Sequence, residues 1–248
     1  MVKRSRTIPL NYFHDLFYNK TMRILELFSG THSIGKIGSK LGHEIVSLDR
    51  DLDAENDGYK SDYHIKADIM TWDYKNEFSE GDFDLITASP VCLFWSNLRN
   101  TWIGRRSKTI NSDGSIVTRE DIERDINLHG KPMVDKCFEI IEFFKPKYWW
   151  LENPATGRMK NYISSDYPNY NTYFDVDYCK YSDWGYKKKT RFWTNIQGFN
   201  PKVCKRDCET YKQYKKHPAW PGGGSNRLPR YRIPEPLIFD LLNVLLLA

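Results

Sequence analysis

Long apolar runs are missing from this 248-residue chain. The apolar tail, Leu241 to Ala248, is far too short to span a bilayer and reads as the end of a helix. The basic start Lys3-Arg4-Ser5-Arg6 is not followed by the apolar segment of a secretory signal. Cysteine is scarce: five thiols, an odd number in a chain this long, do not make a disulfide framework. A soluble, intracellular protein with no membrane partner is therefore expected. A G-x-G-x-x-G fingerprint is also absent, which argues against NAD or FAD, and no internal repeat is visible. Acids are nearly missing from residues 180 to 232, where three of them face fourteen Lys and Arg. Tyr, Trp and Phe are interleaved there, so the segment reads as a polyanion-binding surface rather than only a solvated basic face.

What is present supports a packed core: 40% of residues are apolar and 15% aromatic. Strand-like runs cover Met22 to Phe28, Glu44 to Leu48, Tyr63 to Ala67, Phe83 to Thr87 and Lys147 to Leu151. Helices are read from Ser33 to Leu41 and from Pro132 to Lys145. In the second, Met133, Val134, Cys137, Ile140, Ile141 and Phe144 recur at helical spacing behind a first-turn proline. Two late strands, Tyr173 to Tyr181 and Arg191 to Ile196, precede a closing helix, Pro234 to Leu247. Alternating strands and helices predict an α/β fold with a mostly parallel, doubly wound sheet. The Pro/Gly-rich stretch His217 to Ser225 is linker-like.

The turn after the first strand, Phe28-Ser29-Gly30-Thr31-His32-Ser33-Ile34-Gly35, has the small residues that let backbone approach a ligand closely. Gly30 to Lys36 nearly spells a phosphate-binding P-loop, but Ile37 lacks the hydroxyl that would hold Mg²⁺. Asp49 ends the second strand, where a carboxylate can accept both hydroxyls of a ribose. Asp68 ends the third, placed to accept from an adenine amino group. Either acid alone is an ordinary turn or cap residue; a run of such positions on successive strand ends points to a nucleoside ligand. Beyond the fourth and fifth strands come Ser89-Pro90-Val91-Cys92 and Glu152-Asn153-Pro154, a thiol and an acid at the same ligand-binding edge of the sheet. A lone thiol is more often a buried structural cysteine, but Pro90 and Glu152 favour a nucleophile.

Taken in order, these segments resemble the motifs of the cytosine-C5 methyltransferases. Leu25-Glu26-Leu27-Phe28-Ser29-Gly30 is similar to the first motif, Asp49 and Asp68-Ile69 to the next two. Ser89 to Ser96 resembles the nucleophile motif and Glu152-Asn153-Pro154 the Glu-Asn-Val motif. Trp184-Gly185 through Lys187, Lys188, Lys189, Thr190 and Arg191 is similar to the late basic motif, and Arg230-Tyr231-Arg232-Ile233-Pro234 to the terminal one. Small phage and large-virus members of the family look nearest. Val91 stands where the family usually has a second proline, and the terminal motif lacks its Gly-Asn pair. The late motif is one residue short, which leaves Arg191 and Lys189 as alternatives for its role.

The resemblance implies a class I, Rossmann-like catalytic domain over 1–196, a small basic target-recognition insert over 197–226, and a returning C-terminal helix over 227–248. It implies S-adenosyl-L-methionine as cofactor, held by Phe28, Ser29, Gly30, Ser33, Ile34, Gly35, Asp49, Arg50, Asp68, Ile69 and Pro90. Cys92 would attack C6 of a cytosine to make C5 nucleophilic, Glu152 would bind N3 and the exocyclic amine, and Arg191 would support charge on the ring carbonyl. The base would be flipped out of double-stranded DNA, under a basic loop from Asn97 to Lys108 that carries Arg99, Arg105, Arg106 and Lys108. A monomer is expected, in the cytoplasm of a bacterial host or at a viral replication site. Two alternatives stay open: a catalytically silent relative that keeps DNA or cofactor binding, and an RNA cytosine-C5 methyltransferase. Cys204, Cys208 and His217 have loosely zinc-like spacing, but three candidates without a fourth assign no metal.

Overall fold

Residues 21–51, 59, 61–219 and 231–247 are described by a computed structural model of the chain. The basic start, Arg230 and the Gly-rich part of the linker-like stretch lie outside the described residues. Seven strands, β1 (Arg23–Leu27), β2 (Glu44–Asp49), β3 (Tyr63–Lys66), β4 (Leu85–Ala88), β5 (Tyr148–Pro154), β6 (Tyr173–Asp177) and β7 (Lys189–Thr194), form one sheet in the order β3-β2-β1-β4-β5-β7-β6. The pairs among β1 to β5 are parallel; β7 runs antiparallel to both β5 and β6. This is the Rossmann-like, doubly wound sheet expected from the alternation of elements.

The parallel strands read as continuous apolar runs because both of their faces are covered. Leu25, Val46, Ile86 and Leu151 point to one core, Ile24, Ile45, Leu85 and Trp150 to the other. The first core is closed by α4 (Lys131–Phe144), through Val134, Cys137, Phe138, Ile141 and Phe144, and by α5 (Met159–Asp166). The second is closed by α1 (Ser33–Lys40) and α7 (Glu235–Leu246), with Ile34 and Ile37 packed among Leu237, Ile238, Leu241 and Leu245. Each such side chain is worth roughly 1.5–3 kcal/mol when fully buried.

Several elements go beyond the periodicity. Short helices α2 (Tyr74–Glu77), α3 (Arg119–Asp125) and α6 (Glu209–Tyr214) are too short and polar to show an apolar stripe. A capping box closes α3, with Thr118 and Asp121 each satisfying the other's backbone N–H. A π-helical stretch, Ile126–Gly130, then runs directly into α4. The late strand expected to reach Tyr181 stops at Asp177, because Tyr178–Lys180 turns into a 3₁₀ helix.

The chain winds one way through β1, β2 and β3, then crosses to β4 and winds the other way. The crevice beyond the carboxyl ends of β1 and β4 is thus the switch point of the sheet, where open α/β folds bind ligands.

Candidate active site

The loop leaving β1 bends sharply. Phe28 (φ 59°), Gly30 (φ 42°) and His32 (φ 51°) all take left-handed backbone angles, which cost a non-glycine residue on the order of 1–2 kcal/mol. Neighbouring groups hold them there. Ser29 N–H donates to the Leu48 carbonyl (3.1 Å) and Gly30 N–H to Asp49 Oδ2 (2.9 Å). Beneath the loop, the carboxylate of Glu26 accepts from the N–H groups of Ile34 (2.9 Å) and Gly35 (3.1 Å) at the start of α1, and from Ser47 Oγ (3.3 Å). Gly35 is needed for close approach, since a Cβ there would lie 2.9 Å from Glu26 Oε2 and 2.7 Å from the Tyr59 hydroxyl.

Burial pushes the Glu26 pKa from its ordinary 4.5 up to about 7, although those hydrogen bonds pull the other way. The folded state therefore binds this proton more tightly than the unfolded state. The stability it brings is complete below about pH 4.5 and is lost as pH rises through about 7. Urea denaturation should show wild type losing up to about 3 kcal/mol across that window relative to Glu26→Gln. Parallel pH profiles for the two proteins would overturn this assignment.

A cavity of about 650 Å³ opens at the switch point, within the usual size range of small-molecule sites. Phe28, Ser29, Gly30, Ser33, Ile34, Asp49, Arg50, Asp68, Ile69 and Pro90 all line it, and so do Cys92 and Glu152. Gly35 lies behind this lining, against Glu26. Asp49 does double duty, because Oδ1 also accepts from Asp51 N–H at 2.8 Å. Asp68 Oδ1 accepts from Met70 N–H at 3.0 Å, an Asx turn that fixes its carboxylate at the rim. Ser29 Oγ is buried with no partner among the described residues, a polar atom suited to a bound ligand. Leu128 and His129 of the π stretch, with Met133 of α4, form the opposite wall.

Register brings thiol and acid together. Ala88 of β4 pairs with Leu151 of β5, so the next residues of both strands emerge side by side. Asn153 Nδ2 donates to the Pro90 carbonyl (2.8 Å), tying one segment to the other, and Trp95 N–H donates to the Cys92 carbonyl (3.1 Å) to close the turn. Cys92 is half-buried on the cavity wall. Cys137, by contrast, is fully buried in the core, where desolvation pushes its thiol far up. Glu152 is 5% exposed, accepts from the Tyr178 hydroxyl at 2.9 Å, and has Lys188 Nζ 3.6 Å away. Burial, then the charge of Glu152, keeps the phenol of Tyr178 protonated and so a donor. The Lys188 ammonium sits 4.8 Å from the centre of the Tyr178 ring.

Two expected residues are placed elsewhere. Arg191 does not line the cavity; within β7 its guanidinium grips Asp175 (Nε–Oδ1 2.7 Å, Nη2–Oδ2 3.2 Å) and stacks 3.5 Å from the Tyr173 ring centre. Burial alone would raise the Asp175 pKa, but Arg191 and Lys189 hold it below the ordinary carboxylate value. Lys189 is committed to the same acid at 3.2 Å, so the residue of this basic run that lines the cavity is Lys188, just before the strand. Arg99 does not face solvent either: it is buried in an ion pair with Asp125 of α3. Arg105, Arg106 and Lys108 remain exposed. Glu26 and Tyr178 carry no local signal beyond lying in or beside a strand. Cys179 is too far in sequence from Cys204, Cys208 and His217 to be grouped with them by spacing, yet the four come together in space.

No family model matches the chain. A probable DNA (cytosine-5)-methyltransferase of Frog virus 3 (isolate Goorha) is 38% identical over 237 residues, covering 90% of this chain and 100% of that relative. The chain belongs to the DNA (cytosine-5)-methyltransferase family. Two solved structures resemble it at 15% identity: a putative DNA modification methyltransferase encoded within an E. coli prophage (TM-score 0.46, 74% of this chain and 52% of that one) and Thermoplasma acidophilum 1320 (TM-score 0.37, 74% and 85%). The chain thus spans about half the length of the prophage protein. The strand order of this family member puts its glycine loop and its cysteine on one crevice.

Proposed function

We propose that this member of the family methylates C5 of cytosine in double-stranded DNA, using S-adenosylmethionine and a covalent adduct to Cys92. The observation that carries the reading is the shared cavity, lined by Asp49 and Asp68 together with Cys92 and Glu152. The residues suit the cofactor: Ser29 Oγ, without a partner among the described residues, the close-approach Gly30 loop and the rim carboxylates offer contacts for a nucleoside. S-adenosylmethionine, when bound, supplies an electrophilic methyl group. The chain's own groups do the rest. Cys92 adds as thiolate to C6 of the flipped base, which turns the ring into an enamine with a nucleophilic C5. Glu152 binds the N3 and amino edge, held in position by Tyr178 and Lys188. The segment 197–226, with five lysines and Arg206, would track the DNA backbone. Among the described residues, no helix is long and apolar enough to cross a membrane.

Bisulfite sequencing of DNA from cells expressing the protein tests the reading, and should reveal new 5-methylcytosine in a defined context. Methylation of RNA alone, or of neither, would sink the DNA assignment. Asp49→Ala removes both a ligand acceptor and the hydrogen bond that shapes the Gly30 loop. Calorimetry should show S-adenosylhomocysteine binding roughly ten- to hundredfold more weakly, the cost of one charged hydrogen bond. Unchanged affinity would remove Asp49 from the cofactor site.

A further inference from the structure

We infer that Cys179, Cys204, Cys208 and His217 form a closed structural zinc site that clamps the segment after β7 onto the catalytic edge of the sheet. Three thiols and an imidazole converge there, Cys179 from the turn after β6 and the others from the segment around α6, with all ligand atoms within 4.8 Å of one another. His217 Nε2 lies 3.8 Å from Cys204 Sγ and 3.2 Å from Cys208 Sγ. A tetrahedral zinc with ordinary Zn–S and Zn–N bonds spaces its ligand atoms about 3.5–3.8 Å apart, so a small contraction seats the ion.

One sulfur already accepts a hydrogen bond, with Tyr211 N–H donating to Cys208 Sγ at 3.3 Å. Arg206 takes a left-handed turn (φ 69°) that wraps the loop around the sulfur. The three cysteines are each over nine-tenths buried and form a small cluster of their own, apart from the two main cores. Soft sulfur with one imidazole selects zinc over calcium or magnesium, which take oxygen ligands. A disulfide would join two of the sulfurs and leave the third with the histidine. Four protein ligands leave no open position, so the role is structural. Zinc binding here would displace the thiol protons.

The location gives the site a purpose. Cys179 belongs to the turn Tyr178–Lys180, next to the tyrosine that holds Glu152. The other three ligands flank α6, around which Lys205, Arg206, Lys212, Lys215 and Lys216 are exposed. Lys180 to Asp207 (3.0 Å) and Cys204 N–H to Asp177 Oδ2 (2.8 Å) reinforce the same junction. The ion would fix a basic surface relative to the catalytic acid.

Metal content decides the matter independently of any methyltransferase activity. Protein purified under reducing conditions from zinc-supplemented medium should carry one zinc per chain. Exchange for cobalt(II) should give the visible thiolate-to-metal charge-transfer and tetrahedral ligand-field bands of a sulfur-rich site. Cys179→Ser and Cys208→Ser should each weaken zinc binding by at least about tenfold, whereas Cys137→Ser, in the main core, should keep it. If the cluster variants do not fold, the wild-type zinc content and cobalt spectrum still decide. Substoichiometric zinc after reconstitution, cobalt bands without sulfur character, or full zinc affinity in Cys179→Ser would overturn the site.

Discussion

Cys92→Ser is expected to lower methyl transfer by on the order of 10⁴-fold or more, equivalent to about 5.5 kcal/mol of barrier. In the proposed mechanism the thiolate attacks C6, and a serine hydroxyl in the same place would keep its proton and attack poorly. The substitution is nearly isosteric on a wall that is only half-buried, so folding and S-adenosylhomocysteine affinity should stay close to wild type. Wild type should form a denaturation-resistant adduct with duplex DNA containing 5-fluorocytosine, because the fluorine at C5 cannot leave as the proton does. Cys92→Ser should form none. Full turnover by the serine variant would rule out the covalent mechanism, and a wild type that binds cofactor but neither methylates nor traps would mark a silent relative.

Glu152→Gln should reduce kcat by about 10²–10⁴-fold, the range for a positioned acid–base group. The amide keeps the volume and can still accept from Tyr178, so the loss reports charge and proton rather than packing. Duplex binding and S-adenosylhomocysteine binding should be nearly unchanged. A variant retaining most of its activity would show that Glu152 only buttresses the fold, as the buried neighbour of Tyr178 and Lys188.

The parts of this molecule that were legible in the sequence are those whose signal is local. Strands buried on both faces announce themselves as apolar runs, and the residues just past them fall at the ligand edge, so Gly30, Asp49, Asp68, Cys92 and Glu152 could be placed before any coordinates. Arg191 illustrates the opposite case. Within a basic run, only the register of β7 decides which cation reaches the cavity: Arg191 pairs opposite Asp175 and Asn153, while Lys188 precedes the strand and reaches Glu152. Arg99 counts toward the basic loop in sequence because its partner, Asp125, lies on α3, a helix with too few apolar positions to show in the pattern. Cys179 is separated from Cys204 by all of β7, and spacing says nothing about a junction made across a sheet edge.

The reversed direction of β7 constrains the chain that follows it. Lys189 enters at the catalytic edge and Thr194 leaves at the far edge, opposite Trp150. The chain must therefore travel back before it can present anything to a substrate. It does so by packing Phe199 on Phe174 (4.7 Å between ring centres), donating Asp177 N–H to the Lys202 carbonyl (3.1 Å) and pairing Lys202 with Asp240 (2.8 Å). At about 3.3 Å per extended residue, residues 197–203 have little slack for that return. They behave as a strap of fixed length. Lengthening or shortening it would misplace everything downstream, α6 and its exposed lysines included.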